Sequence, residues 1–597
     1  MQARTLYAVL EDTASKLGDK PALYQPKGGR EGDYQVTTWA EYRDAAREIA
    51  CGLRSLGFGR GDIIGLASET RAEFYLADMG VMTNGSIAAA VYTSLPAREQ
   101  AATIAQSDAK AVFVENAKAL KALKAAGAPD VPWFVLVGEA EGAMTLAQLR
   151  ARGRAALEQD PRYFERIKAE VKPEDQAILY MTSGATGAPK MGLVTHHSVV
   201  SNLDLGPRVV DIGPEDVTLA FLPSAHIAQR VAVQLLPMRV GMTVYFSESL
   251  SKMPIEMRRV RPTFLLAPPR VWERIYTNIT AEIRKKPGVT RRIFYTALGL
   301  GLRLSQLRSE GKPIPGWMAS LQGVADRLVF SKIRERLGGR LQTAISGSAP
   351  LGKELAQFFQ AVNVPLIEGY GLTEGGITTL NPMNRPKPGT IGVMFPTVEA
   401  KISEEGELLL KGPTIFSGYY KDPEATASVL RDGWLHTGDI AEIDSEGYIS
   451  ITGRKKELIV ASNGKKIYPS RIEQLFKMEP LINQVVLIGD RQPYVTALFT
   501  INPTLAEALP GMEEFKGRSL PEIASAPQVL ETVQRAVKDA NRQLAPFEQI
   551  RRFRILEREF SIEQGELTPT MKVRRKQVLE NYRSIVNELY LGREEMV

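Results

Sequence analysis

The residues with the greatest chemical capacity sit in one short turn, Met181-Thr-Ser-Gly-Ala-Thr-Gly-Ala-Pro-Lys190, directly after the apolar run Ala177-Ile-Leu-Tyr180. Thr182, Ser183 and Thr186 supply hydroxyls, Gly184 and Gly187 leave amide N–H groups unshielded, and Lys190 adds a cation. Such a set builds an anion-binding concavity, for which phosphate is the obvious guest. It is not a Walker loop, which needs the lysine directly after the second glycine; here it falls three residues later. A plain flexible turn has the same composition, so the rest of the chain has to decide. A second glycine-rich turn, Gly369-Tyr-Gly-Leu-Thr-Glu-Gly-Gly376, carries a ring, a hydroxyl and a carboxylate. A nucleotide site uses all three: ring on the base, hydroxyl on phosphate, carboxylate on Mg2+.

Other chemical groups are sparser. Trp434-Leu-His-Thr-Gly-Asp439 and Gly453-Arg-Lys-Lys-Glu457 lie among short strands, and Lys572 lies in a proline-containing loop before the last helix. His226 follows Pro223 in a broken strand, 220–229, where a hydrogen-bonded core histidine and a site histidine are equally good readings. The remaining histidines, His196, His197 and His436, show no metal-ligand spacing. No Gly-x-Ser-x-Gly elbow supports a hydrolase triad. The single cysteine, Cys51, excludes an internal disulfide framework and reads as helix packing in an intracellular, cytoplasmic protein.

The elements that must position these groups follow from periodicity. Thr38 and Glu41 make a capping box for a helix over 37–56, with Ala45, Ile49, Leu53 and Leu56 at helical spacing. Strands at 62–67, 87–91, 111–114 and 133–137 alternate with helices at 71–83 and 98–107, the pattern of α/β layers with largely parallel sheets. At 597 residues the chain exceeds one ordinary core, so two or more domains are expected. From Lys401 short strands and Gly/Asp/Asn turns dominate, and from about Glu457 a small α+β unit follows, with a helix over 527–544. No apolar run approaches the roughly 20 residues of a membrane span, and the first residues lack a signal-peptide core. The net charge of +7 suits polyanionic small molecules or an anionic membrane surface. No aromatic-interleaved basic stripe argues for nucleic acid. Basic clusters at 258–261 and 284–292, beside Ile293, Phe294 and Tyr295, are a solvated face or a membrane-surface patch.

In this order the motifs resemble the adenylate-forming superfamily of acyl-CoA synthetases, adenylation domains and luciferases, over essentially the whole chain. Leu266-Ala-Pro-Pro-Arg-Val-Trp-Glu-Arg-Ile275, 328–337 and 560–572 are similar to stretches of the long-chain fatty acid–CoA ligases. The resemblance implies a large, multi-subdomain α/β domain (1–453) and a smaller, mobile C-terminal α+β domain (454–597) hinged near Lys456. It implies ATP, Mg2+ and coenzyme A as reaction partners, with a fatty acid as substrate. Thr182, Ser183, Gly184, Thr186, Gly187 and Lys190 would hold the phosphates. Gly347, Ser348 and Tyr370 would border the adenine, Thr373 would touch the α-phosphate, and Glu374 would ligate Mg2+. Asp439 would take the ribose hydroxyls with Arg454 beside it. His226 would lie near the acyl carboxylate, Lys572 would be the catalytic lysine of the first half-reaction, and Gly464 and Lys465 would border coenzyme A. The neighbouring readings are a fatty acyl-AMP ligase that serves a carrier-protein thiol, and a non-catalytic lipid- or nucleotide-binding protein. The sequence departs from the family pattern at Ala185, Met191, Gly192 and Gln229. Met191 would stiffen a permissive turn.

Overall fold

The computed structural model describes residues 3–182, 190–507 and 512–591. Helix Trp39–Ser55 shows how the local sequence writes the fold: the Thr38 hydroxyl takes the Glu41 N–H while the Glu41 carboxylate takes the Thr38 N–H. Its inner face, with Ala45, Ile49 and Leu53, is buried.

The largest sheet has eight strands, in spatial order Gly418–Tyr419, Lys190–Thr195, Gln176–Thr182, Ile87–Ala90, Ile63–Ala67, Ala111–Val114, Trp133–Val135 and Met144–Thr145. Ile63–Ala67 is buried along its whole length, as a strand covered by helices on both faces should be. The pairs from Gln176–Thr182 to Met144–Thr145 are parallel. Gln176–Thr182 and Lys190–Thr195 instead pair antiparallel, with Thr182 opposite Lys190. Ser183, Gly184, Ala185, Thr186 and Gly187 lie outside the described residues.

Three more sheets complete the large part of the chain. One runs Phe264–Ala267, Thr343–Ser346, Leu366–Leu372, Gly376–Leu380, Val393–Met394 and carries the second glycine-rich turn. A second contains Val217–Ala220, Thr243–Phe246, Pro21–Pro26 and Tyr34–Thr38. The third holds Trp434–Ile443 with Ile449–Arg454 paired to it. The strand expected across 220–229 ends at Ala220; proline at 223 cannot supply a ladder N–H, and the chain turns into a short helix at Ile227.

Beyond Arg454, strands Ile482–Ile488, Val495–Ile501 and Ile550–Ile555 form a separate sheet against helix Pro527–Asn541. The main core of this part draws its buried residues from Ile459 to Ile550, whereas the main core of the large part draws its own from Leu6 to Ile449. Polar contacts between the two parts include Arg270 donating to the Asn483 carbonyl at 3.0 Å, Lys477 paired with Glu273 at 2.6 Å and Lys455 paired with Glu405. Gly453 is needed at the join, because a Cβ there would come within 2.6 Å of the Tyr468 ring.

Candidate functional site

A cavity of about 1460 Å³ runs between the two parts, and both line it. From the large part come Thr182, Lys190, His226, Gly347, Ser348, Tyr370, Thr373 and Glu374; Arg454 stands at the junction, and Thr570 and Lys572 come from the far side.

The paired strands Gln176–Thr182 and Lys190–Thr195 build one end of the cavity. The Thr182 hydroxyl donates to the Lys190 carbonyl at 3.0 Å, closing the base of the turn. The Lys190 ammonium lies 4.7 Å over the Tyr419 ring, and the Tyr419 hydroxyl donates to a Glu374 oxygen at 2.6 Å. Strand pairing explains this chain of contacts, since Tyr419 registers with Gly192, two residues past the lysine. Gly192 also gives Thr373 its room: a Cβ there would sit 3.2 Å from the Thr373 methyl. Met191, which the sequence places at the edge of the turn, is a buried residue of the strand Lys190–Thr195. Asn202 fixes the second turn from below, with its amide donating to the Ile377 carbonyl at 2.6 Å and accepting from the Ile377 N–H at 3.0 Å.

A charged cluster forms the next wall. Tyr370 donates to Asp439 Oδ2 at 2.5 Å, and Arg454 Nε lies 2.9 Å from Asp439 Oδ1. Asp439 and Arg454 are opposite each other in an antiparallel pair, which sets this distance. Burial and the Asp439 carboxylate push the Tyr370 phenol far above its ordinary range, while Asp439 raises the Arg454 guanidinium. Each carboxylate oxygen already has one donor and can accept another. Asp439 is therefore packed behind the cavity surface with hydrogen-bonding capacity left over. Gly347 and Ser348 follow strand Thr343–Ser346, and Ser348 is held at φ 72°, a strained backbone for a side-chain-bearing residue. The loop is tied down by the Leu351 N–H, which donates to Glu368 at 3.0 Å; burial pushes that carboxyl up to about 7.

Lys572 occupies a loop closed by the Leu567–Val573 bridge and by its own N–H, which donates to the Thr568 hydroxyl at 3.0 Å. Its side chain keeps accessible surface along the cavity it lines, yet protein walls surround it. Desolvation, then the nearby Arg454 charge, lowers its ammonium to about 8; Asp439, Glu457 and Glu374 pull the other way. His226 caps the helix Ile227–Gln229, its Nδ1 accepting the Ala228 N–H at 3.2 Å. Burial and then Lys572 lower it to about 3. A neutral ring that accepts at Nδ1 carries its proton on Nε2.

From His226 the cavity continues into an apolar branch lined by Leu203, Gly206, Val209, Val231, Leu236 and Leu380. A Cβ on Gly206 would meet Leu236 at 2.6 Å, so glycine keeps the facing helices close. Gln229 does not face this space; it is fully buried and donates to the Tyr75 hydroxyl at 3.0 Å. Gly464 and Lys465 lie at the turn of the Ile459–Val460/Lys466–Ile467 hairpin, away from the cavity walls. Among the described residues, no three His, Cys, Asp or Glu side chains gather as a metal cage. Sequence reasoning missed Tyr419 and the apolar branch. Tyr419 follows a glycine in a two-residue strand, a weak local signal, and its importance arises only from pairing with a strand more than 200 residues earlier.

Comparison with known proteins gives a consistent picture. The AMP-binding enzyme family model matches residues 10–420, and that of the AMP-binding enzyme C-terminal domain matches 456–594. A long-chain-fatty-acid–CoA ligase, FadD15, of Mycobacterium tuberculosis is 34% identical over 570 residues, covering 94% of this chain and 93% of that protein. Fatty acyl-CoA synthetase A of Dictyostelium discoideum is 30% identical over 624 residues, covering 98% and 90%. Among solved structures, the adenylation domain of a carboxylate reductase from Mycobacterium chelonae superposes with a TM-score of 0.74 at 22% identity, covering 99% of this chain and 92% of that one.

Proposed function

The chain belongs to the AMP-binding enzyme family, and we propose that it is a long-chain fatty acid–CoA ligase that works in two half-reactions. In the first, the fatty acid carboxylate attacks the α-phosphorus of ATP, giving acyl-AMP and pyrophosphate. In the second, the coenzyme A thiol attacks the acyl carbon and AMP leaves. Activation is needed because a free carboxylate would have to expel oxide.

Each reacting partner is an anion, so the first barrier is largely electrostatic. Lys190 and Lys572, on opposite walls, neutralise charge on the polyphosphate, and positioning contributes the remainder. Mg2+ fits as a cation carried by the nucleotide: Glu374 would give it one carboxylate, with phosphate and water completing the shell, and it supplies further charge neutralisation. Gly347, Ser348 and Tyr370 border the adenine, Thr373 contacts the α-phosphate, and Asp439 takes the ribose hydroxyls with the capacity left on its oxygens. The Nε2–H of His226 donates to the substrate carboxylate at the entrance to the apolar branch, which takes the alkyl chain. Ser183, Gly184, Thr186 and Gly187, by their hydroxyls and unshielded amides, would complete the phosphate cradle.

Residues 1–453 and 454–597 act as two domains, with Lys456 at the hinge. In this arrangement Lys572 lines the cavity and Gly464 and Lys465 do not. Rotation of the small domain would withdraw the lysine and bring the 464–465 turn to coenzyme A. The observation that carries the proposal is the shared cavity, in which Lys572 of one part and Lys190, Glu374 and His226 of the other surround a polar chamber continuous with an apolar one.

A panel of fatty and aromatic acids with ATP tests it, with pyrophosphate and thioester scored separately and with coenzyme A and a phosphopantetheinylated carrier protein offered in parallel. Long-chain acids should give both pyrophosphate and acyl-CoA. Transfer to the carrier alone, or no pyrophosphate with any acid, would overturn the assignment.

A further inference from the structure

Among the described residues, eight of the 17 exposed large hydrophobic side chains fall between 289 and 328. Four of them form a stripe. Trp317, Leu321, Val324 and Leu328 recur at intervals of four, three and four along helix Gly316–Ala325 and the wider turn Asp326–Phe330 that continues it. They are 63, 49, 55 and 56% exposed. That spacing belongs to one face of a helix, and in a helix of a soluble domain such a face is turned inward. Here the inward face is occupied by others: Ala325 and Phe330 are buried, and Gln322 donates to Asn363 at 2.8 Å while accepting from Arg308 at 3.0 Å. Anchored in this way, the helix presents its apolar stripe outward. The packed neighbour, Gly288–Ser309, adds Val289, Ile293, Tyr295 and Leu302, all exposed. A concentration of this kind marks a contact surface.

Charge decides which contact. Between 284 and 340 there are thirteen lysines and arginines against three acids, more than the whole +7 excess of the chain, so the remainder is net acidic. Arg291, Arg292 and Arg327, each beside an exposed apolar residue, make no ion pair among the described residues. In the other basic cluster read from the sequence, Arg259 pairs with Glu31 and Arg261 donates to the Gly338 carbonyl at 3.0 Å. Phe294 is buried. A second copy of the chain would bring the same cationic excess to a two-fold contact and be repelled.

We propose that this helical face docks on an anionic bilayer, with Trp317, Leu321, Val324 and Leu328 sunk among the lipids and the unpaired arginines meeting the headgroup phosphates. An apolar stripe with a cationic border is the form of an interfacial helix, and tryptophan suits the headgroup level. The face is separate from the cleft, and none of its residues lines the cavity.

Full-length protein with vesicles of phosphatidylcholine, pure or containing phosphatidylglycerol, provides the test. Binding should favour the anionic vesicles and weaken in high salt. It should fall at least tenfold in a W317S/L321S/V324S/L328S variant and in R291E/R292E/R327E, with ATP-dependent pyrophosphate release from a short soluble acid unchanged. A milder readout guards against misfolding. Of the other four tryptophans, Trp39, Trp133 and Trp272 are buried, and half-buried Trp434 lies under the Lys401 ammonium on the strand Trp434–Ile443. Lipids brominated in the acyl chains should therefore quench wild-type emission, and Trp317→Phe should remove most of that quenching. Vesicle binding that is absent, or equal in the variants, would overturn the proposal. So would quenching that persists undiminished in Trp317→Phe, or a dimer in sedimentation that the apolar substitutions dissolve.

Discussion

Asp78 with Arg230 and Asp439 with Arg454 are the same chemical pair in two surroundings. Asp78 and Arg230 have no exposed side-chain surface; Arg230 Nε donates to Asp78 Oδ2 at 3.1 Å, a second donation comes from Nη2, and Gln234 adds a third at 2.6 Å. Desolvation pushes Asp78 above its ordinary value against the opposing pull of Arg230. The guanidinium also sits 5.7 Å from the Tyr180 ring. None of these polar groups lines the cavity, although Val231 and Ala232 on the same turn do. In the second pair the carboxylate is equally enclosed but Arg454 is 54% exposed, opening onto the cleft beside Lys572. A buried ion pair and a shifted titration therefore do not distinguish a scaffold from a site. What separates the two pairs is access to the cavity, which Arg454 lines and Arg230 does not.

That contrast breaks first at Arg230. Arg230→Ala strands a buried carboxylate and should destabilise the large part by about 3–5 kcal/mol, read as a shifted denaturation midpoint, while turnover per folded molecule is kept. Replacing both partners, as Asp78→Leu with Arg230→Met, should recover much of the loss. A variant with normal stability and lost turnover would move this pair into the site. Asp439→Ala should do the reverse, raising KM for ATP roughly 10- to 100-fold, the loss of one or two charge-assisted hydrogen bonds, with little change in midpoint.

The titration of Lys572 sharpens the comparison. Its pKa is depressed to about 8, so the charged form is present below that pH and lost above it. The kcat/KM of acyl-AMP formation should fall about tenfold per pH unit on the alkaline side, and Lys572→Arg should flatten that limb. His226, lowered to about 3, stays neutral across the working range and should leave no acidic limb between pH 5 and 7. His226→Ala should cost about five- to tenfold in kcat/KM for the fatty acid, and His226→Gln, which retains an N–H, should cost less.

Local signals carried much of the architecture. The capping box and apolar period of 37–56 place a helix that the structure bounds at Trp39–Ser55. The strands expected at 62–67, 87–91 and 111–114 are the parallel centre of the largest sheet. Those signals are short-range, written within a dozen residues. What depends on distant pairing was not legible. Nothing near Tyr419 says that it bridges Lys190 and Glu374. Nothing near Gln229 says that it turns into the protein toward Tyr75. Met191 looked like part of a turn because a glycine-rich run has no internal marker for where its strand resumes. The apolar branch was illegible for the same reason, since its lining comes from residues as far apart as Leu203 and Leu380.

The central claim is that Lys572 serves one of two separable reactions, and Lys572→Ala tests it most directly. Pyrophosphate release from ATP and a long-chain acid would be measured beside thioester formation from supplied acyl-AMP and coenzyme A. The first should fall about a thousandfold or more, the scale of removing a transition-state cation, while the second stays near wild type. Equal loss in both, or retention of both, would contradict the account.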